Sequence, residues 1–287
     1  MVQEEGKVFY WVLPGPRRLS PVVFGTPDDP SKTAEDDMMA LAGTPMGDIL
    51  AKVPVLIGVP TSMRNVSADG KSFTDTKMMT LFSDKGMPTS GSIRLLYKDR
   101  QKRDRGGMDM GTDDGVELET VFTDPMGNIY EIQVKMVVAG PLRMIDPDEY
   151  KTGGGVIVDT FHHGRTDMGT PLFPRAYTWG AVWTVADIIV NGEIVNTNQF
   201  THIMTTETVR DKNYKMAIDE ELPLALDNTI AGQGHHTHIA VLPITMTATG
   251  MKFEPVHTAF ILPNGQPQPF IHAMFEQDTI VKAPYRD

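Results

Sequence analysis

Three histidines stand together in the run Gly234-His235-His236-Thr237-His238-Ile239-Ala240-Val241-Leu242-Pro243. If this run is extended, side chains alternate, so His236 and His238 share one face and His235 takes the other. Two imidazoles at i and i+2 on one strand face form a chelating pair for zinc, copper or iron(II). Two further segments repeat the arrangement. Phe270, His272, Met274 and Glu276 fall on one face of a strand, and Phe200, His202, Met204 and Thr206 on one face of another. Faces meeting inside a barrel or the mouth of a sandwich would bring three or four imidazoles and a carboxylate together. His162 and His163 precede Gly164 at a strand-to-loop junction, where they are placed to cap the same site. All eight histidines lie between residues 162 and 272, which concentrates this chemistry in the second half of the chain.

The expectation is a mononuclear divalent transition-metal centre, copper or iron before zinc. His236 and His238 would hold it with His202, His272 or His163, for redox or Lewis-acid chemistry on a small substrate at an open coordination position. The competing reading is a hydrogen-bonded structural histidine, strongest for the isolated His257. A His-x-His strand resembles the cupin pattern, but the glutamate that cupins carry four or five residues later is replaced here by Leu242 and Pro243. The alternative function is a small-molecule or carbohydrate-binding barrel, or an interaction module, without metal. Tyr177, Trp179 and Trp183 would share a strand face lining an apolar cavity, with Arg165 or Arg175 pairing an anionic group and Glu276 as a further pocket candidate. Whether the chain is an enzyme stays open. There is no Gly-x-Ser-x-Gly elbow, and Gly153 to Gly155 precede a strand rather than the helix of a phosphate loop.

A formal net charge of −11 argues against a nucleic-acid partner, whose phosphates need a basic surface. No apolar segment approaches the roughly 20 residues that span a bilayer. Zero cysteines remove disulfides and thiolate ligands, and fit an exported protein that avoids stray oxidation. Glu4 and Glu5 and the short run Val8 to Leu13 do not make a secretory signal, so periplasmic or secreted location would require a signal peptide outside this sequence. The 19 methionines are scattered, as adaptable core filler is.

The elements that must position these residues read as all-β: a sandwich, jelly roll or barrel, with one or two short helices near the N-terminus. Strands are predicted at Lys7 to Leu13, Val53 to Val59, Ile93 to Tyr97, Val116 to Thr123, Ile129 to Val138, Val156 to Thr160 and Tyr177 to Val190. Further strands are predicted at Glu193 to Val195, Phe200 to Val209, Ile239 to Thr247, Thr258 to Leu262, Phe270 to Phe275 and Thr279 to Val281. Asp124 to Asn128 and Asn191-Gly192 are hairpin turns. Pro21 to Pro30 reads as loop, and Ser31 or Thr33 would cap a helix to about Ala42, with another over Met46 to Lys52. The chain divides into a histidine-free part, 1–140, and a histidine-bearing part, 141–287, unless 1–287 is one continuous domain.

Overall fold

The computed structural model describes residues 1–31, 59–77, 79–100, 112–138, 155–164, 166, 173–218 and 221–283. Its strands, in chain order, are β1 (Val2–Gln3), β2 (Val8–Val12), β3 (Arg64–Val66), β4 (Phe73–Thr76), β5 (Gly86–Lys98), β6 (Gly115–Thr123) and β7 (Ile129–Val137). Then follow β8 (Val156–His162), β9 (Ala176–Val190), β10 (Glu193–Glu207), β11 (His235–Thr247), β12 (Gly250–Phe253) and β13 (Ile271–Phe275). Eight of them close an antiparallel barrel in the order β5-β2-β13-β11-β10-β9-β7-β6, and β6 returns to pair with β5. Residues before 140 and after 141 supply four of these strands each. Among the described residues, no helix is long and apolar enough to cross a membrane.

Alternation decides which side chains fill the barrel. Phe9 and Trp11 of β2, Ile93 and Leu95 of β5, Phe122 of β6 and Tyr130 of β7 point inward with Ile203, Ile239, Ala273 and Phe275. Phe122 stacks on Tyr130 with ring centroids 5.6 Å apart, and Trp11 lies 5.1 Å from Tyr130. Trp11 Nε1 donates to the buried Gln268 Oε1 at 3.1 Å, so the one polar atom of that indole is satisfied inside. An eight-stranded barrel is just wide enough to be filled by side chains, and this one carries a packed aromatic core.

The turns follow their residues. Asn191 and Gly192 both adopt positive φ, 52° and 84°, as a two-residue hairpin between β9 and β10 demands. Asp124 organises the β6–β7 turn by accepting hydrogen bonds from the Met126 and Asn128 backbone N–H groups and from the Tyr130 hydroxyl.

Several boundaries differ from the sequence reading. The stretch read as loop at Pro21 to Pro30 opens with a one-turn helix, α1 (Pro21–Phe24), because Ser20 caps it through Val22 N–H and proline occupies its first turn. β5 starts seven residues before Ile93 and passes through Pro88. Proline is tolerated there because that half of the strand pairs only with β2, and β6 joins from Gly91 onward. Thr258 to Leu262 is not a strand: its backbone turns back on its own loop, with Gln268 N–H donating to Phe260 O and Leu262 N–H to Gln266 O. Thr279 to Val281 contributes only the bridge between Thr279 and Val2. The helices expected between Ser31 and Lys52, most of the strand at Val53 to Val59, and the connection at 141–152 lie outside the described residues.

Candidate functional site on the outer wall of the barrel

The interior takes Ile203, Ile239 and Ala273, so their neighbours face outward. His202 and Met204 of β10, His236 and His238 of β11, and His272 and Met274 of β13 therefore share the outer wall. The register lines them up in two rows across the sheet. Met204, His238 and Met274 are cross-strand partners, as are His202, Ala240 and His272. This corrects the expectation that the histidine faces meet inside the barrel or its mouth. The interior is already filled by aromatic rings, and the histidine-bearing face is instead covered from outside.

The cover comes from connecting segments. Leu81 and Phe82 pack on the wall with Phe200, Ala240, Leu242 and Phe270. Phe82 meets His272 edge-on at 5.3 Å and Phe173 at 4.8 Å. Tyr214 and Ile230 lie on Tyr10, Val12 and Met274. His272 is 2% exposed and His236 fully enclosed, whereas His202 and His238 are half-buried. The latter two are crowded by protein yet keep accessible surface, as side chains lining a narrow recess do.

Hydrogen bonding sets the tautomers. His272 Nδ1 donates to Leu81 O at 2.7 Å, which leaves its Nε2 as the acceptor, 3.3 Å from His238 Nδ1. Ring centroids of His238 lie 5.4 Å from His272, 5.9 Å from His202 and 6.0 Å from His236. His236 Nδ1 donates to Glu276 Oε1 at 2.8 Å, so the sequence-predicted carboxylate does reach this wall, and His236 Nε2 is buried with no partner among the described residues. His163, at the β8 end, has φ 64° and packs its ring 5.5 Å from Phe173. It and His162 are close enough to His202 to oppose its protonation.

Electrostatics favour neutral imidazoles. Burial pushes the pKa of His162, His202 and His272 down to about 3, and neighbouring histidines or Arg210 push the same way. Burial lowers His238 as well, reinforced by His272, His202, His236 and His163. Neutral rings at ordinary pH present the lone pairs that metals and hydrogen-bond donors need.

The remaining sequence candidates separate. Trp183 stacks on His202 at 4.1 Å and on Phe200 at 4.7 Å, so it belongs to the outer wall. A bulge, where Thr205 pairs Gly180 but Thr206 pairs Thr178, puts Trp179 off that face. It packs instead on His235 and Tyr177, which corrects the shared face expected for the two tryptophans. His235 lies beside Asp278, whose carboxyl accepts from Thr237. The Arg175 guanidinium sits 4.5 Å over the exposed Phe161 ring, and Arg165 is outside the described residues. Leu81, Phe82 and Arg210 were not singled out from sequence, since they lie in connections without periodicity.

Among the described residues, no group of three or more histidine, aspartate or glutamate side chains stands in an array that could hold a metal ion. No known family, no curated protein and no solved structure matches the chain.

Proposed function

We propose that the outer-wall histidines form a mononuclear transition-metal site for chemistry on a small substrate. His238 and His272 would be its primary pair, and His202 and His163 would close on it. The observation that carries this reading is the 3.3 Å between His238 Nδ1 and His272 Nε2. Two imidazole nitrogens bound at about 2.0–2.1 Å to one tetrahedral ion also lie about 3.3 Å apart. Moving the His238 proton from Nδ1 to Nε2 exchanges the hydrogen bond for a second lone pair, and burial already disfavours protonation of both rings. Leu81 O orients His272, in the way that outer partners usually fix a ligating histidine.

Copper is the metal this wall suits best, because the thioethers of Met204 and Met274 flank His238 on both neighbouring strands. A bound copper would supply one-electron or Lewis-acid chemistry. Trp183, Phe82 and Phe173 would keep the surroundings dry, while the half-buried His202 and His238 would leave an approach from solvent. The test is elemental analysis of protein purified without an affinity tag, before and after reconstitution with copper, iron(II) and zinc. Near-stoichiometric metal that disappears in both His238→Gln and His272→Gln is expected. Protein that takes up none of the three overturns the reading, and a metal-free binding role for the recess beside Trp183 would replace it.

A further inference from the structure

The cover of this wall buries a cation that the histidine group does not use. Arg210 is 1% exposed, and its Nη1 donates to Ser83 O and Tyr214 O. Its Nε and Nη2 meet no acceptor among the described residues, and no carboxylate there lies within ion-pair distance. These two nitrogens form one edge of the guanidinium, the edge that presents two parallel N–H donors. The Tyr10 hydroxyl, also fully buried, has no partner among the described residues, and Tyr10 packs 4.9 Å from Tyr214. Arg210 is the charged group that acts most strongly on it.

Next to this pair is a recess of roughly 280 Å³, open to solvent and lined by Arg17, Arg18, Ser20, Phe173 and Met216 among others. The Met216 backbone bridges to that of Arg210, so Arg210 stands directly behind the recess wall. Arg17 is itself buried, its guanidinium 4.4 Å over Phe173, and it feels Arg210 as a like charge. Arg18 is paired with Asp84 at 3.3 Å. Three guanidiniums thus gather around one carboxylate, in a chain whose net charge is −11. Burying a guanidinium without a counter-charge is costly, and a side-on pair of N–H donors matches the planar fork of a carboxylate.

We propose that this recess and the space behind it bind a small organic carboxylate, anchored by the Nε–Nη2 edge of Arg210 and the Tyr10 hydroxyl. Arg17 and Arg18 would draw the anion into the recess. None of these donors is a histidine, so the proposal stands apart from the metal reading and is tested on chelator-treated protein. Arg210 also acts electrostatically on His272, so the anion would lie beside the histidine group.

The experiment is thermal unfolding in Tris chloride with acetate, benzoate or succinate added, against sodium chloride of equal ionic strength and inorganic phosphate. A site-specific ligand raises stability by RT ln(1 + [L]/Kd), so titration to about 10 mM yields an apparent Kd. At least one carboxylate should give a saturable rise above the chloride control. Arg210→Lys, which keeps the charge but loses the paired edge, should weaken that ligand by about tenfold or more. Tyr10→Phe, which only removes the hydroxyl, should weaken it several-fold and carries the test if Arg210→Lys does not fold. No carboxylate effect in the wild type, a response to phosphate alone, or Arg210→Lys and Tyr10→Phe titrating like the wild type would overturn the proposal.

Discussion

Acid should destabilise this protein well above the range in which carboxylates titrate, and the amount follows from the enclosed histidines. His162 and His272 are 5% and 2% exposed, and burial holds both near a pKa of about 3. Their unfolded value is about 6.5. The folded pKa is the lower one, so below pH 6.5 the unfolded chain binds more protons and stability drops with pH. The contribution is whole near neutrality and is lost progressively from about pH 6.5 down to about pH 3. At pH 5 each group has lost about 1.5 pH units at about 1.4 kcal/mol per unit, or about 2 kcal/mol. Together they lose about 4 kcal/mol, a large share of the 5–15 kcal/mol typical of a folded domain. His202 and His238 act in the same direction, with solvent screening their share. Asp278 acts the other way. Burial raises its carboxyl, so the penalty for keeping it ionised in the fold is relieved as pH falls through that raised value. Urea unfolding of chelator-treated protein at pH 7.5 and pH 5.0, at one ionic strength, reads the difference. His272→Gln, which cannot titrate, should show about 2 kcal/mol less pH dependence. Unfolding free energies that agree within about 1 kcal/mol at the two pH values would refute the reasoning, since single-site linkage leaves no room for that result.

Two predictions concern the scaffold. Asp124 is 1% exposed and accepts from Met126 N–H at 2.8 Å, Asn128 N–H at 3.1 Å, Asn128 Nδ2 at 2.9 Å and Tyr130 O–H at 2.8 Å. Asp124→Ala should therefore cost about 3 kcal/mol by leaving several donors unpaired, visible as a lower melting temperature, while Asp124→Asn should retain part of it. A Cβ on Gly180 would come within 2.3 Å of the Tyr97 ring, whose hydroxyl is hydrogen-bonded with Thr205 at 3.3 Å. Gly180→Ala should destabilise by about 1–3 kcal/mol, and the double variant with Tyr97→Leu should recover part of the loss; equal melting temperatures for Gly180→Ala and wild type would count against the contact.

Much of the barrel was legible because its strands carry their own signals. Tyr177 to Val190, Asn191-Gly192 and the hairpin around Asp124 announce themselves by β-branched runs and turn residues, and they stand where the sequence puts them. Alternation also grouped His202 with Met204, His236 with His238, and His272 with Met274 and Glu276 correctly. It could not say which face turns inward. On β11 both faces are apolar, with Ile239 and Val241 on one and Ala240 and Leu242 on the other, so the strand reads equally well either way round. Only the opposing aromatics of β2, β6 and β7 decide the matter, and they lie more than a hundred residues away in sequence. The bulge that separates Trp179 from Trp183 is invisible for a related reason. A register slip of one residue changes no composition, yet it moves a side chain to another face.

Putting the polar cluster on the outer wall changes what must stay rigid. A group in a barrel mouth is shielded by the strands themselves, but here the shield is a set of connections that have to be held down. Several of the bonds that hold it involve the candidate binding residues. His272 fixes Leu81 through its Nδ1, Arg210 fixes Ser83 and Tyr214 through its Nη1, and Asp84 accepts from Met216 N–H and from Arg18. In His272 and Arg210 one nitrogen anchors the cover while another faces the protein interior without a carbonyl or carboxylate of its own. Anchoring and binding are therefore coupled in single side chains. A substitution that removes the ligand-facing atom by deleting the whole side chain also loosens the cover, and would report instability as lost binding. Conservative changes such as Arg210→Lys and Tyr10→Phe separate the two effects, because they alter the donor geometry and leave most of the packing in place.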